Sequence, residues 1–146
     1  MSSNNEYKVK IHVETIHKQN GEVERYVEDF EGQLIQLNNA FYLRYTEKLP
    51  DNEEAKVTFK IENSGIVQLT RKMGQHRMHL RFELEKTNQT LYHTPYGNVP
   101  MSVVTRAINS VLDDENTICG NLNIDYELYN GEAFLGDYKI RLQFSA

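Results

Sequence analysis

Alternation with a period of two runs along nearly the whole chain, and it constrains the fold more than any other feature. Tyr7, Val9, Ile11 and Val13 alternate with Lys8, Lys10, His12 and Glu14, and Met78, Leu80, Phe82 and Leu84 with His79, Arg81, Glu83 and Glu85. Successive side chains of an extended strand point to opposite faces, so each run predicts a strand with one apolar face and one wet face. The same pattern marks strands through Phe41, Leu43 and Tyr45, which share a face with Glu47, and through Ala55–Ile61, Val67–Leu69, Val99–Val103, Leu122–Leu128 and Phe134–Phe144.

The residues between these runs are turn formers. Asn20-Gly21 can take positive φ at both positions of a two-residue hairpin, which sets Ile11 opposite Phe30, Thr15 opposite Tyr26 and Val13 opposite Glu28. Gly32 bends the second strand, and Asn38-Asn39, Leu49–Glu54, Asn63-Ser64-Gly65 and Lys86–Asn88 supply further connections, the last leading into a strand Gln89–His93. Thr94-Pro95-Tyr96-Gly97 reads as a type I turn. Thr105–Leu112 fits a strand or a short helix, because Val104, Ile108, Val111 and Leu112 also share a helical face; a polar turn, Asp113–Asn116, follows. In the last hairpin both apolar sets are even-numbered, which a two-residue loop cannot pair, so parity predicts a three-residue loop Tyr129-Asn130-Gly131 with Gly131 left-handed.

An all-β meander of roughly eight to eleven strands must hide its edges, and closure into an antiparallel up-and-down barrel removes them. A β-sandwich is the alternative. The 146 residues suit one domain, expected over residues 7–146 after a disordered polar leader, residues 1–6. Nine Tyr and six Phe argue against disorder.

The net charge of -5 with no Lys/Arg run makes nucleic acid a poor first expectation, and a phosphate-tracking surface would have to be local. One cysteine, Cys119, forms no internal disulfide, and with no apolar signal core the sequence suits a reducing cytoplasm. No apolar run approaches the roughly 20 residues of a membrane helix, so no membrane partner is expected.

Gly32, the aromatic run Phe41–Tyr45, Arg71 with Gly74, Met78-x-x-x-Phe82, Tyr92-x-Thr94-Pro95-Tyr96-Gly97 and the late-strand Tyr126 resemble the YwiB-like family of bacterial proteins, over most of the chain from Lys8 onward. That family is grouped with calycin-like barrels. The resemblance therefore implies a barrel of lipocalin or streptavidin shape and supplies no activity. The stretches Gln68–Met78 and Thr105–Thr117 are longer here than in the family pattern.

Arg71 shares odd parity with Val67 and Leu69, so it should point inward, where an unpaired guanidinium would be very costly and must meet a carboxylate, backbone carbonyls, water or an anionic ligand. The alternative is that it sits at a barrel mouth, or that Gly74 marks a bulge that shifts the phase. Glu47 has the parity to be its partner. Tyr45, Tyr92, Tyr96, Tyr126 and Tyr138 could supply apolar walls with hydroxyl tips, although strand tyrosines are mostly ordinary packing. The expectation is a non-enzymatic barrel that binds a small apolar or weakly anionic molecule, anchored by Arg71. A filled structural or protein-interaction barrel is the alternative.

No metal or cofactor is expected. His76 and His79, the nearest pair among five histidines, fall on opposite faces of a strand. Cys119 sits at an apparent turn before Gly120, with no second thiol. Glu83-Leu84-Glu85-Lys86 approaches the Glu-x-Glu-x-Lys of triphosphate tunnel enzymes, but Lys86 comes one position early and the glutamates oppose the apolar face.

Overall fold

The computed structural model describes residues 6–115 and 117–146. Ten strands follow one another: β1 Glu6–Gln19, β2 Glu22–Leu37, β3 Ala40–Lys48, β4 Glu54–Glu62, β5 Val67–Met73, β6 His76–Phe82, β7 Thr87–Thr94, β8 Gly97–Asp113, β9 Cys119–Asn130 and β10 Ala133–Ser145. Each pairs antiparallel with its neighbours in sequence, and β10 returns to pair with β1, closing the barrel. The sandwich is thereby excluded. Among the described residues the one helical element is a 3-10 turn, Pro50–Asn52, inside the expected Leu49–Glu54 loop.

The first hairpin has the predicted register, with Ile11 opposite Phe30, Thr15 opposite Tyr26 and Val13 opposite Glu28. β1 begins at Glu6, which pairs with Ile35, so this residue belongs to the barrel and the rest of the expected leader lies outside the described residues. At Gly32 a Cβ would collide with the Arg44 carbonyl oxygen and come within 2.7 Å of Ile11 Cδ1, so only glycine lets β2 cross so close to β3. β2 pairs with β3 only over Gly32–Leu37, leaving Glu22–Glu31 bonded to β1 alone.

Three expectations are corrected and one reading left open is decided. The last hairpin turns through two residues, Gly131-Glu132, not three, because Asn130 pairs with Ala133. Parity is restored further along, by a bulge between Phe134 and Gly136, after which Tyr126 opposes Tyr138 and Ile124 opposes Ile140. Phe134 lies before the bulge and is left 48% exposed, off the core face. Gly131 is left-handed as expected, at φ 60°.

Second, Thr105–Leu112 is strand, and a bulge between Thr105 and Ala107 explains its helical look. The inward set changes from odd (Met101, Val103, Thr105) to even (Ile108, Leu112). Third, β6 stops at Phe82, so the turn is Glu83–Lys86 and Leu84 is exposed rather than part of the apolar face. Glu85 turns the chain there at φ 62°, and Glu83 is held by Arg81 at 2.8 Å instead of pointing freely to solvent. Fourth, Cys119 is the first residue of β9, opposite Asp113 and Ser145, and not a turn residue.

The inward residues fill the interior. Ile11, Leu34, Leu43, Val67, Leu80, Phe82, Val103, Leu122, Ile124 and Leu142 are almost wholly buried, and burying each such side chain contributes about 1.5–3 kcal/mol. The turns at Asn20-Gly21, Gly74-Gln75, Pro95-Tyr96 and Gly131-Glu132 gather at one mouth. The connections after β2, β4, β6 and β8 gather at the other.

Candidate functional site

Arg71 lies near the end of β5, opposite Val57 on β4 and Met78 on β6. Glu47 lies near the end of β3, opposite the fully buried Ala55. Both therefore face inward at the first mouth with one strand between them, and Arg71 Nε donates to Glu47 Oε1 at 2.9 Å. The pair sits at the rim, with side chains 33% and 22% exposed.

Tyr45 lies inside that rim, stacked on Phe30 with ring centres 4.4 Å apart. Burial pushes its hydroxyl pKa well up, Glu47 and Glu28 add to the rise, and the Arg71 guanidinium opposes it. Two carboxylates and one guanidinium thus act on the hydroxyl electrostatically. Arg71 already has its counter-charge, so this guanidinium is not a free inward cation for an anionic ligand.

Tyr126 is central to a second cluster, 4.8 Å from Phe82 and stacked on Tyr138 at 5.2 Å, while His17 stacks on the other face of the group at 4.3 Å from Tyr138. Burial raises the hydroxyl pKa of both Tyr126 and Tyr138. These tyrosines remain neutral and pack. Tyr92 faces inward on β7 beside His76, with centres 6.1 Å apart. Tyr96 is 97% exposed at the tip of its turn, where its N–H donates to Thr94 Oγ1 at 3.2 Å and the Thr94 hydroxyl donates to the Gly97 carbonyl at 2.7 Å. The structure therefore brings together Arg71, Glu47 and Tyr45, sets Tyr126 deeper in the core, and leaves Tyr96 outside.

A hollow of about 710 Å³ opens at the opposite mouth, where Phe41, Ile61, Ile108, Leu112 and Phe144 meet the polar turns Asn63–Ile66 and Glu83–Lys86. It exists because β8 runs past the end of β7 and its last residues pair only with β9. A larger hollow of about 1590 Å³ runs from Lys8 and Lys10 on β1 past β2 to Arg44, Lys48, Lys56, Lys72 and Arg77 on β3–β6, and the inward residues Val9, Phe30, Tyr45 and Val57 also line it. Arg71, Glu47, Tyr92, Tyr96 and Tyr126 line neither. The outer cations escaped the sequence reading because they are scattered over five strands. Their common outward parity was the available signal.

His76 and His79 face opposite sides of β6; His79 shares a hydrogen bond with Gln68 Oε1 at 3.0 Å on the outer face, and burial lowers its pKa. Among the described residues no group of three or more His, Cys, Asp or Glu is arranged to hold a metal ion. No described helix is long and apolar enough to cross a membrane.

A family model described as a domain of unknown function (DUF1934) matches residues 11–142. No curated protein matches the chain. Among solved structures, the ywiB protein from Bacillus subtilis is similar, at 23% identity and a TM-score of 0.82, with 99% of this chain and 96% of that chain covered. At that identity the likeness shows the shared barrel fold.

Proposed function

We propose, from the premise that this chain belongs to the DUF1934 family, that it is a non-enzymatic cytoplasmic barrel whose interior is structural and whose working surface is its outside. The observation that carries this reading is the state of the first mouth. The inward Arg71 guanidinium is paired with Glu47, and Tyr45, Tyr126 and Tyr138, three of the five tyrosines expected as pocket walls, are packed against Phe30, Phe82 and each other. Small barrels can be completely filled by side chains, and a filled barrel leaves its outer surface for a partner. The lone Cys119 supports a reducing compartment.

One observation favours a second reading, a small apolar ligand. The hollow between Phe41, Ile61, Ile108, Leu112 and Phe144 falls within the roughly 300–1,000 Å³ of small-molecule pockets and is walled mainly by carbon. A thermal-shift panel of fatty acids, haem and small carboxylates separates the two. Any ligand that binds the folded state raises apparent stability by mass action. The first reading expects silence. A rise of about 5 °C or more, abolished by Ile108→Trp filling the hollow, would establish the second reading instead.

A further inference from the structure

We propose that the outer face of β3–β6 binds single-stranded nucleic acid through its phosphates. This rests on the reading that the barrel works through its outside, and it names the partner.

The face is assembled by register. Lys56 on β4 stands directly opposite Lys72 on β5, which stands opposite Arg77 on β6. Adjacent strands lie about 4.8 Å apart, so three cations form a row about 10 Å long across the strands. Like charges directly opposite one another destabilise a sheet. Among the described residues the ion pairs are made by other cations, and Lys8, Lys10, Arg44, Lys48, Lys56, Lys72 and Arg77 have no carboxylate within 4.0 Å. All seven line the large outer hollow, against three carboxylates, Glu28, Asp29 and Glu31, on its β2 rim. A chain with a net charge of -5 thus concentrates unpaired positive charge on one concave face. Water screens such a row, yet an anion from outside would neutralise it further, and the row supplies the local concentration of cations that a phosphate-tracking surface on this acidic chain would require.

Three features choose among polyanions. The hollow, at about 1590 Å³, exceeds what a small phosphate compound needs and suits an extended strand. Thr46, Thr58 and Thr70 stand beside the cation row, Thr46 opposite Lys56 and Thr58 opposite Thr70, and threonine hydroxyls are common phosphate donors. Just outside the lining, next to Arg44, Tyr42 carries the Arg44 guanidinium 5.7 Å and the Lys60 ammonium 5.8 Å from its ring centre, an aromatic and cationic surface against which a base can stack. An acidic peptide or an anionic membrane has no base to place there. A trough takes one strand, whereas a duplex presents its phosphates on a convex cylinder.

The test is fluorescence anisotropy of the full chain with end-labelled oligo(dT) and oligo(rU) of about twelve nucleotides, a length within known single-strand site sizes. Salt is varied from about 25 mM to about 200 mM. Three neutralised phosphates predict a log–log salt slope of about -2, at roughly -0.7 per contact. The triple variant Lys56→Gln, Lys72→Gln, Arg77→Gln, verified as folded by circular dichroism, should bind at least about tenfold more weakly and with a shallower slope, what remains coming from Lys8, Lys10, Arg44 and Lys48. Lys18→Gln with Lys139→Gln, on β1 and β10, should bind like the unaltered chain.

The proposal is overturned by absence of saturable binding at low salt, by a triple variant that binds normally, or by stronger competition from poly-glutamate or phosphatidylserine vesicles than from unlabelled oligonucleotide. Failure here beside a silent thermal-shift panel would remove nucleic acid as the partner and leave the outer-surface reading standing. A hit in that panel, abolished by Ile108→Trp, would remove the outer-surface reading itself.

Discussion

Arg71 and Lys72 are neighbours on β5, and the two are treated in opposite ways. Arg71 points inside, where Glu47 accepts from its Nε at 2.9 Å. Lys72 points outside, faces Lys56 on one side and Arg77 on the other, and has no carboxylate partner among the described residues. Solvent explains why both are tolerated, since water screens exposed like charges and cannot screen an inward one. It does not explain why the outer row is all positive, because alternating signs would stabilise the same sheet. The inward charge is a settled structural element. The outward row is left waiting for an anion.

The largest effect should come from emptying the interior. Phe82→Ala removes a fully buried ring that contacts Tyr126 and should cost about 3–5 kcal/mol in urea unfolding, with oligonucleotide affinity unchanged where the variant is folded. Equal losses of stability and affinity would break the separation between core and face.

Glu47→Leu strips the partner from a half-buried guanidinium and should cost about 1 kcal/mol, while the double variant Glu47→Leu, Arg71→Met should recover most of it. Recovery marks the pair as structural. Persistent loss in the double variant would show that the pair contributes through something other than mutual neutralisation.

Lys72→Glu should act in the other direction. It places a carboxylate between Lys56 and Arg77 and should stabilise the chain by about 0.2–1 kcal/mol while weakening oligonucleotide binding. A substitution that raises stability and lowers binding would sharpen the contrast most. If it lowers both, the row is not repulsive.

The smallest effect is in acid. The Arg106 guanidinium, 2.9 Å from Glu127, holds that carboxyl below its ordinary value near 4.5, and Arg81 does the same for Glu83. A depressed folded value means the stabilisation is present above the unfolded value and is lost as pH falls through the folded one. Unfolding followed from pH 6 to pH 2 should show this loss below about pH 4.5, and Glu127→Gln should flatten part of it.

Much of the barrel was legible because a period of two is a local signal, repeated wherever one face is buried. Asn20-Gly21 dictated a register that holds for the whole first hairpin. Bulges defeated the reading elsewhere. One extra residue at Arg106 turned an alternating strand into an apparent helix face, and one before Gly136 moved the parity correction out of the loop and into β10. A bulge carries no composition of its own, so parity reveals that one exists without saying where.

Of the site, the inward direction of Arg71 followed from parity, while Glu47 was one candidate partner of suitable parity and the structure selects it. The stacking that fills the mouth did not, because it depends on which strands lie across the lumen. The cation row was invisible for the same reason: Lys56, Lys72 and Arg77 are separated by turns and become neighbours only when β4, β5 and β6 pair.

The most direct measurement is amide chemical-shift mapping of the labelled full chain during titration with oligo(dT). The account predicts perturbations concentrated on Lys56, Thr58, Thr70, Lys72 and Arg77, with the amides of Phe82 and Tyr126 unmoved. Perturbations that follow the Phe41, Ile61, Ile108 and Leu112 mouth or the interior, and spare the outer row, would contradict it.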